Sequence, residues 1–122
     1  MKERRPKLPA VSEQMKAWSA ALAAEVETWP AVTTRPMFGF SALYRRQHIF
    51  AALPRTRGME TPNSLAFKLP DPGPHMRARL GKDPRIQPAV LQKRRWFTFE
   101  LSSDRDLRDA LDWLSRAHKA AG

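Results

Sequence analysis

Apolar residues recur at helical spacing near both ends of the chain and at alternating spacing in its middle. Met15, Trp18, Leu22 and Val26 fall at steps of three, four and four, one helical stripe widened by alanines. Ser12 stands where an N-cap belongs, with Glu13 and Gln14 in a first turn whose dipole favours acid. Trp29-Pro30 ends this helix, because the residue before a proline is pushed out of the α region. Toward the C-terminus, Leu107, Leu111, Leu114 and His118 make a second stripe with Ala110 and Ala117 beside it. Ser103 is the expected N-cap there, and Asp106 takes a capping-box-like position. Lys119 and Gly122 lie where cations and glycine suit a helix end.

Between the helices the period changes to two. Val32 to Phe38 is β-rich but holds Pro36, which suits an edge strand or a strand start. Gly39 can bend or bulge the chain before Phe40 to Tyr44. Arg45-Arg46-Gln47 is a short polar turn, and His48 to Leu53 returns as the second arm of a hairpin. Pro54 to Ser64 is a loop of a length at which loops are usually functional or mobile. Leu65 to Leu69 alternates as a third strand, and the proline-rich stretch Pro70 to Pro74 breaks it. His75 to Leu80 makes a short helix closed by Gly81. Pro84 and Pro88 then keep the chain irregular until Arg95 to Leu101 alternates as a fourth strand. The expectation is an α+β fold, with N- and C-terminal helices packed on a short, mainly antiparallel sheet of four to five strands. The sheet face that the helices leave free is the place for a ligand, a partner or a second copy in a homodimer.

The 122 residues suit one domain, residues 12–122, behind a basic and disordered arm over residues 1–11. There is no cysteine, which rules out a disulfide framework and thiolate metal ligation and fits a reducing cytosol. The charged start has no apolar segment behind it, and the run Trp18 to Ala24 is too short to span a bilayer. A cytoplasmic protein with no membrane partner is expected.

Net charge is +10, and its distribution matters more than its size. The arm contributes Lys2, Arg4, Arg5 and Lys7 against Glu3; residues 35–57 hold five arginines and no acid. The first helix is acidic and the last is balanced. If the hairpin turn, the long loop and the start of the last strand share an edge, Arg45, Arg46, Arg55, Arg57, Lys93, Arg94 and Arg95 line it beside Trp96. Cations hold phosphates and an indole can stack on a base, so this edge is the candidate surface for a nucleic-acid or protein partner. The competing reading packs Trp96 into the core and leaves the arginines solvated.

Catalytic constellations are harder to find. Gly39-Phe-Ser-Ala-Leu43 approaches a nucleophile elbow but lacks the second glycine and the following helix. His48, His75 and His118 have no helical partner at metal-ligand spacing. Asp104, Asp106, Asp109 and Asp112 alternate with Arg105, Arg108 and Arg116 as on a solvated helix surface. No phosphate-binding glycine run is present. The expectation is a protein that is not an enzyme and has no cofactor and no metal. The alternative is a small-molecule-binding or weakly enzymatic cleft beside the 54–64 loop, around Arg35, Tyr44 and His75.

Arg35, Met37, Phe38 and Gly39, followed by Ala42-Leu-Tyr44, Ile49-Phe-Ala51 and Leu65-Ala-Phe-Lys68, resemble the TfoX N-terminal domain family. The aromatic strand from Trp96 and the helix behind it resemble that family's ending, and also that of small bacterial luciferase-like domain proteins. Phe40 departs from the TfoX pattern, where a second glycine stands, and Ala66 replaces a tyrosine, so the chain looks like a divergent member. The resemblance implies a fold similar to the YjbR-like proteins and type III secretion chaperones. It also implies a small bacterial regulatory module without catalytic residues.

Overall fold

The computed structural model describes residues 10–58, 61–89 and 95–121. Its order is α1 (Glu13–Val26), β1 (Val32–Met37), β2 (Phe40–Arg45), β3 (His48–Pro54), β4 (Ser64–Lys68), α2 (Pro74–Lys82), β5 (Ile86–Pro88), β6 (Trp96–Glu100) and α3 (Asp106–Ala120). Every strand pairing is antiparallel, in the order β1-β2-β3-β4-β6-β5. The fold is α+β as expected, with six strands where four to five were predicted.

The strands Val32–Met37 and Ile86–Pro88, which the four-strand reading of the sequence did not separate out, have identifiable causes. Phe38 and Gly39 form a two-residue hairpin turn with φ of 51° and 88°, so Val32–Met37 is a separate strand and not the bent start of the next. Ile86–Pro88 pairs with β6 although it contains only three residues. β1 and β5 are the edges of the sheet, and each carries a proline, Pro36 and Pro88, with no N–H to donate.

Ser12 caps α1: its Oγ accepts the Met15 amide at 3.0 Å and donates to Asn63 Oδ1 at 2.5 Å, tying the helix start to the loop before β4. Trp18 Nε1 donates to Asp104 Oδ1 at 2.7 Å and joins α1 to the approach to α3. Asp106 there forms the reach-back half of the expected capping box, its Oδ2 accepting the amides of Ser102 (2.7 Å) and Ser103 (3.2 Å). The α-helix itself starts later than expected, at Asp106, because a tighter turn precedes it, with the Asp106 amide on the Ser103 carbonyl (3.0 Å) and the Leu107 amide on the Asp104 carbonyl (3.1 Å).

Both long helices lie on one face of the sheet. Met15, Trp18, Leu22 and Val26 join Ala110, Trp113, Leu114 and Ala117 over Leu43, Ala51, Leu53, Leu65, Phe67, Phe97 and Phe99. The α3 stripe is turned relative to the one expected, since Leu107 and Leu111 are only partly buried and Trp113 is buried. Trp113 is drawn inward by a stack in which Phe67 lies between it (5.6 Å) and Phe97 (5.8 Å), each pair of rings inclined by 25°. A bulge in β3 adds to this layer. Leu43 opposes Ala51 but Tyr44 opposes Ile49, so Phe50 is the extra residue and its buried ring meets His118 edge-on at 5.3 Å. His118 is buried too, its Nε2 2.8 Å from the Pro30 carbonyl oxygen.

The opposite face is ordered in rows by the register. Arg35, Ala42, Ala52, Ala66, Thr98 and Gln87 are successive cross-strand partners and form the middle row. Its alanines and Thr98 are buried between taller neighbours. Two residues along each strand on one side stand Thr33, Tyr44, Lys68 and Trp96; on the other side stand Met37, Phe40 and Glu100.

Candidate nucleic-acid interface

The register decides which of the eight expected partner-binding residues come together. Arg45 and Arg46 lie at the β2–β3 turn. Arg95 and Trp96 open β6, and Trp96 pairs with Lys68 at the end of β4, which runs antiparallel to β3. These residues share one end of the sheet. Arg55 and Arg57 follow β3, whose Pro54 pairs with Phe40, so they lie at the other end. Five residue steps of β2 separate the two ends, about 17 Å. The single basic edge expected from the sequence is therefore two basic corners, because β3 carries the chain across the sheet between its arginines. Lys93 and Arg94 lie outside the described residues.

Arg45 is withdrawn from the surface. Its guanidinium donates to the His118 carbonyl at 2.9 Å and the Lys119 carbonyl at 3.4 Å, capping the C-terminal end of α3. Arg46, with φ of 58°, is exposed, as are His48 and Arg95. None of Arg35, Arg46, Lys68 and Arg95 is ion-paired to a carboxylate among the described residues.

The free face gives these cations aromatic company. The Arg35 guanidinium lies 5.1 Å from the Tyr44 ring centroid, and Lys68 stands directly across from Trp96. Both aromatic side chains are half-buried: Trp96 packs against a small apolar cluster made by Phe40, Ala52 and Ala66 and keeps part of its indole in solvent. Tyr44 and Trp96 are three strand spacings apart, about 14 Å. Trp96 thus lies between the two sequence expectations, neither in the main core nor standing free. Arg35 and Tyr44 are sequence candidates that do meet. His75 does not join them, for α2 packs beside β5 at the opposite edge.

Two cavities open elsewhere. One of about 560 Å³ lies between α2 and α3, lined by Arg79, Lys82, Asp109, Asp112 and Trp113 among others. Its wall is an ion lattice that the sequence did not suggest. Arg85 holds Asp83 through two bonds (2.9 and 2.8 Å), Asp106 at 2.8 Å and Asp109 at 3.0 Å, with its guanidinium 4.7 Å from the Phe99 ring centroid. The hydrogen bonds from Arg85 hold the Asp83 carboxyl below the usual carboxylate range. Burial pushes Asp106 up, but the Ser102 and Ser103 amides and Arg85 outweigh it and leave that carboxyl lowered as well. The three carboxylates in turn raise the Arg85 pKa. This arrangement locks β5 onto α3; of the charge pairs expected along α3 itself, Arg116–Asp112 is formed, at 3.3 Å. The second cavity, about 290 Å³, lies between His48, Phe50 and Lys68 and the last turn of α3.

Among the described residues, no three His, Cys, Asp or Glu side chains gather as a metal-ligating group, and no helix is long and apolar enough to cross a membrane. Compared with protein-family models, curated proteins and solved structures, the chain finds no match.

Proposed function

We propose that this chain is a non-enzymatic binding module that takes single-stranded nucleic acid on the sheet face turned away from its helices. The observation that carries the reading is the placing of two half-buried aromatic rings beside cations on this face: the Arg35 guanidinium lies over the Tyr44 ring, and Lys68 is the cross-strand neighbour of Trp96. Rings accept bases by stacking and neighbouring cations hold the backbone phosphates, a combination that tolerates any sequence. Arg46 and Arg95 at the adjoining end extend the positive strip. The TfoX N-terminal-like resemblance, a regulatory role, and a bacterial and cytoplasmic setting belong to the same proposal. The helix–sheet–helix order agrees with the fold that the resemblance implies.

The test is oligonucleotide binding by fluorescence anisotropy as salt is varied. Four phosphate contacts, from Arg35, Arg46, Lys68 and Arg95, give a slope of about −3 in log affinity against log salt, so a fourfold rise in salt weakens binding roughly 50-fold. Lys68→Met with Arg95→Met halves that slope. Trp96→Leu, which keeps an apolar side chain over Ala66, weakens binding by about 1–3 kcal/mol and leaves the slope alone. No binding at low salt ends the proposal.

A further inference from the structure

Phe38 is the one large apolar side chain left exposed among the described residues, at 87%. It occupies the first position of the β1–β2 turn with φ of 51°, a left-handed conformation that asparagine, aspartate and glycine adopt readily and a bulky aromatic does not. The sequence therefore keeps a ring at the tip against local preference, and such conflicts concentrate at functional positions. The tip is held firmly. The Gly39 carbonyl accepts the amides of Arg55 and Thr56, each at 2.9 Å, and that of Arg57 at 3.4 Å, so the loop after β3 is clamped to the turn. A bridge between Ala10 and Arg57 and the Val11 amide on the Thr56 carbonyl (3.1 Å) fasten the same loop to the start of the described chain.

Two arginines belong to the loop clamped against this turn. Arg55 and Arg57 are exposed and form no ion pair among the described residues. From the tip, Met37 and Phe40 lead into the row beside Ala42 and Ala52, which connects the corner to the face carrying Tyr44 and Trp96. A protein interface needs a cluster of apolar neighbours at its core, and a membrane-binding surface needs a broader apolar face. A single ring with flanking cations is what one stacked base requires.

We infer that Phe38 is a stacking finger: it receives a base of the single strand beyond the sheet face, while Arg55 and Arg57 hold the phosphates on either side. The inference rests on the proposed nucleic-acid reading and adds to it a second anchoring point and a longer site.

Two oligonucleotides separate the claims, one of about four nucleotides, which the face alone accommodates, and one of about twelve. Phe38→Asn removes the ring but suits the left-handed backbone, so its melting temperature should equal or exceed that of the wild type. It should weaken the longer oligonucleotide about 5- to 150-fold and leave the shorter one unchanged, while Phe38→Trp keeps the longer one bound. If Phe38→Asn binds the longer strand as tightly as the wild type does, the finger is refuted while binding of the shorter strand preserves the face. If the wild type binds neither length at low salt, both fall. If Phe38→Asn instead abolishes sedimentation with phosphatidylserine vesicles and leaves oligonucleotide binding intact, the finger serves a lipid surface and the inference is overturned.

Discussion

Arg85→Met takes one guanidinium from among three carboxylates and leaves a side chain of similar length over Phe99. Asp109 is 54% exposed, so its pair contributes little, as surface pairs do. Asp83 and Asp106 are 14% and 15% exposed, and Arg85 itself is 28% exposed. Hydrogen bonds to charged groups of this kind contribute about 1.5–3 kcal/mol each. Desolvation of the ions offsets part of that, and methionine keeps the apolar contact with Phe99. The expected loss is about 2–3 kcal/mol at neutral pH, or roughly 10 °C in melting temperature for a chain of this length. Urea denaturation across a pH series measures it. The sign follows from the lowered pKa values of Asp83 and Asp106. A carboxyl whose folded pKa lies below its unfolded value contributes stability that is complete above the unfolded value and is lost as pH falls through the folded one. The variant loses the depression that Arg85 causes at Asp83 and Arg85's share of that at Asp106, where the Ser102 and Ser103 amides remain, so the two stability curves approach each other in acid. A neutral-pH loss under about 0.5 kcal/mol, the range of an ordinary surface substitution, would refute the lattice as a stabilising element. So would a loss that is as large at about pH 2, where unperturbed carboxyls are protonated.

Two further substitutions test the corners of the sheet. Gly39→Ala places a Cβ 2.8 Å from Thr56 Oγ1 and 3.0 Å from Arg57 Cγ at a φ of 88°, and thermal unfolding should register a cost of about 1–2 kcal/mol; an unchanged melting temperature contradicts the clamp on the turn. Arg45→Met uncaps the last carbonyls of α3 and should cost about 1–2 kcal/mol in denaturant titrations. Its effect on the salt slope of oligonucleotide binding should be nil, since that guanidinium faces the helix; a flatter slope would return Arg45 to the binding surface.

Periodicity made the terminal helices legible, and it did so because each buries a single stripe. Met15, Trp18, Leu22 and Val26 are all in the core. The strands were legible where side chains alternate, as in Trp96 to Leu101, and illegible where pairing is set by a neighbour. Ile86–Pro88 has no pattern of its own and becomes a strand because β6 offers it a ladder. The Phe38-Gly39 turn was hidden because phenylalanine is a poor residue for it. Reading that pair as a two-residue turn places Arg35 opposite Ala42 and within reach of Tyr44, the one part of the site that local sequence could have supplied. The split of the basic edge follows from the direction of β3, which composition does not encode. Only the Asp83–Arg85 part of the lattice is local in sequence; Asp106 and Asp109 lie 21 and 24 residues away, and no pattern ties them to Arg85.

The two edge prolines set how molecules of this protein can meet. A strand arriving beside β1 finds no donor at Pro36 and an arginine next to it; one arriving beside β5 finds three residues ending in Pro88. Sideways growth of the sheet from copy to copy is thereby penalised on both flanks. In a crowded solution this matters for a sheet whose other face is not covered by its own long helices. The chain can keep that face available without its edges seeding an endless ladder, and any pairing of two copies must use a face or a corner.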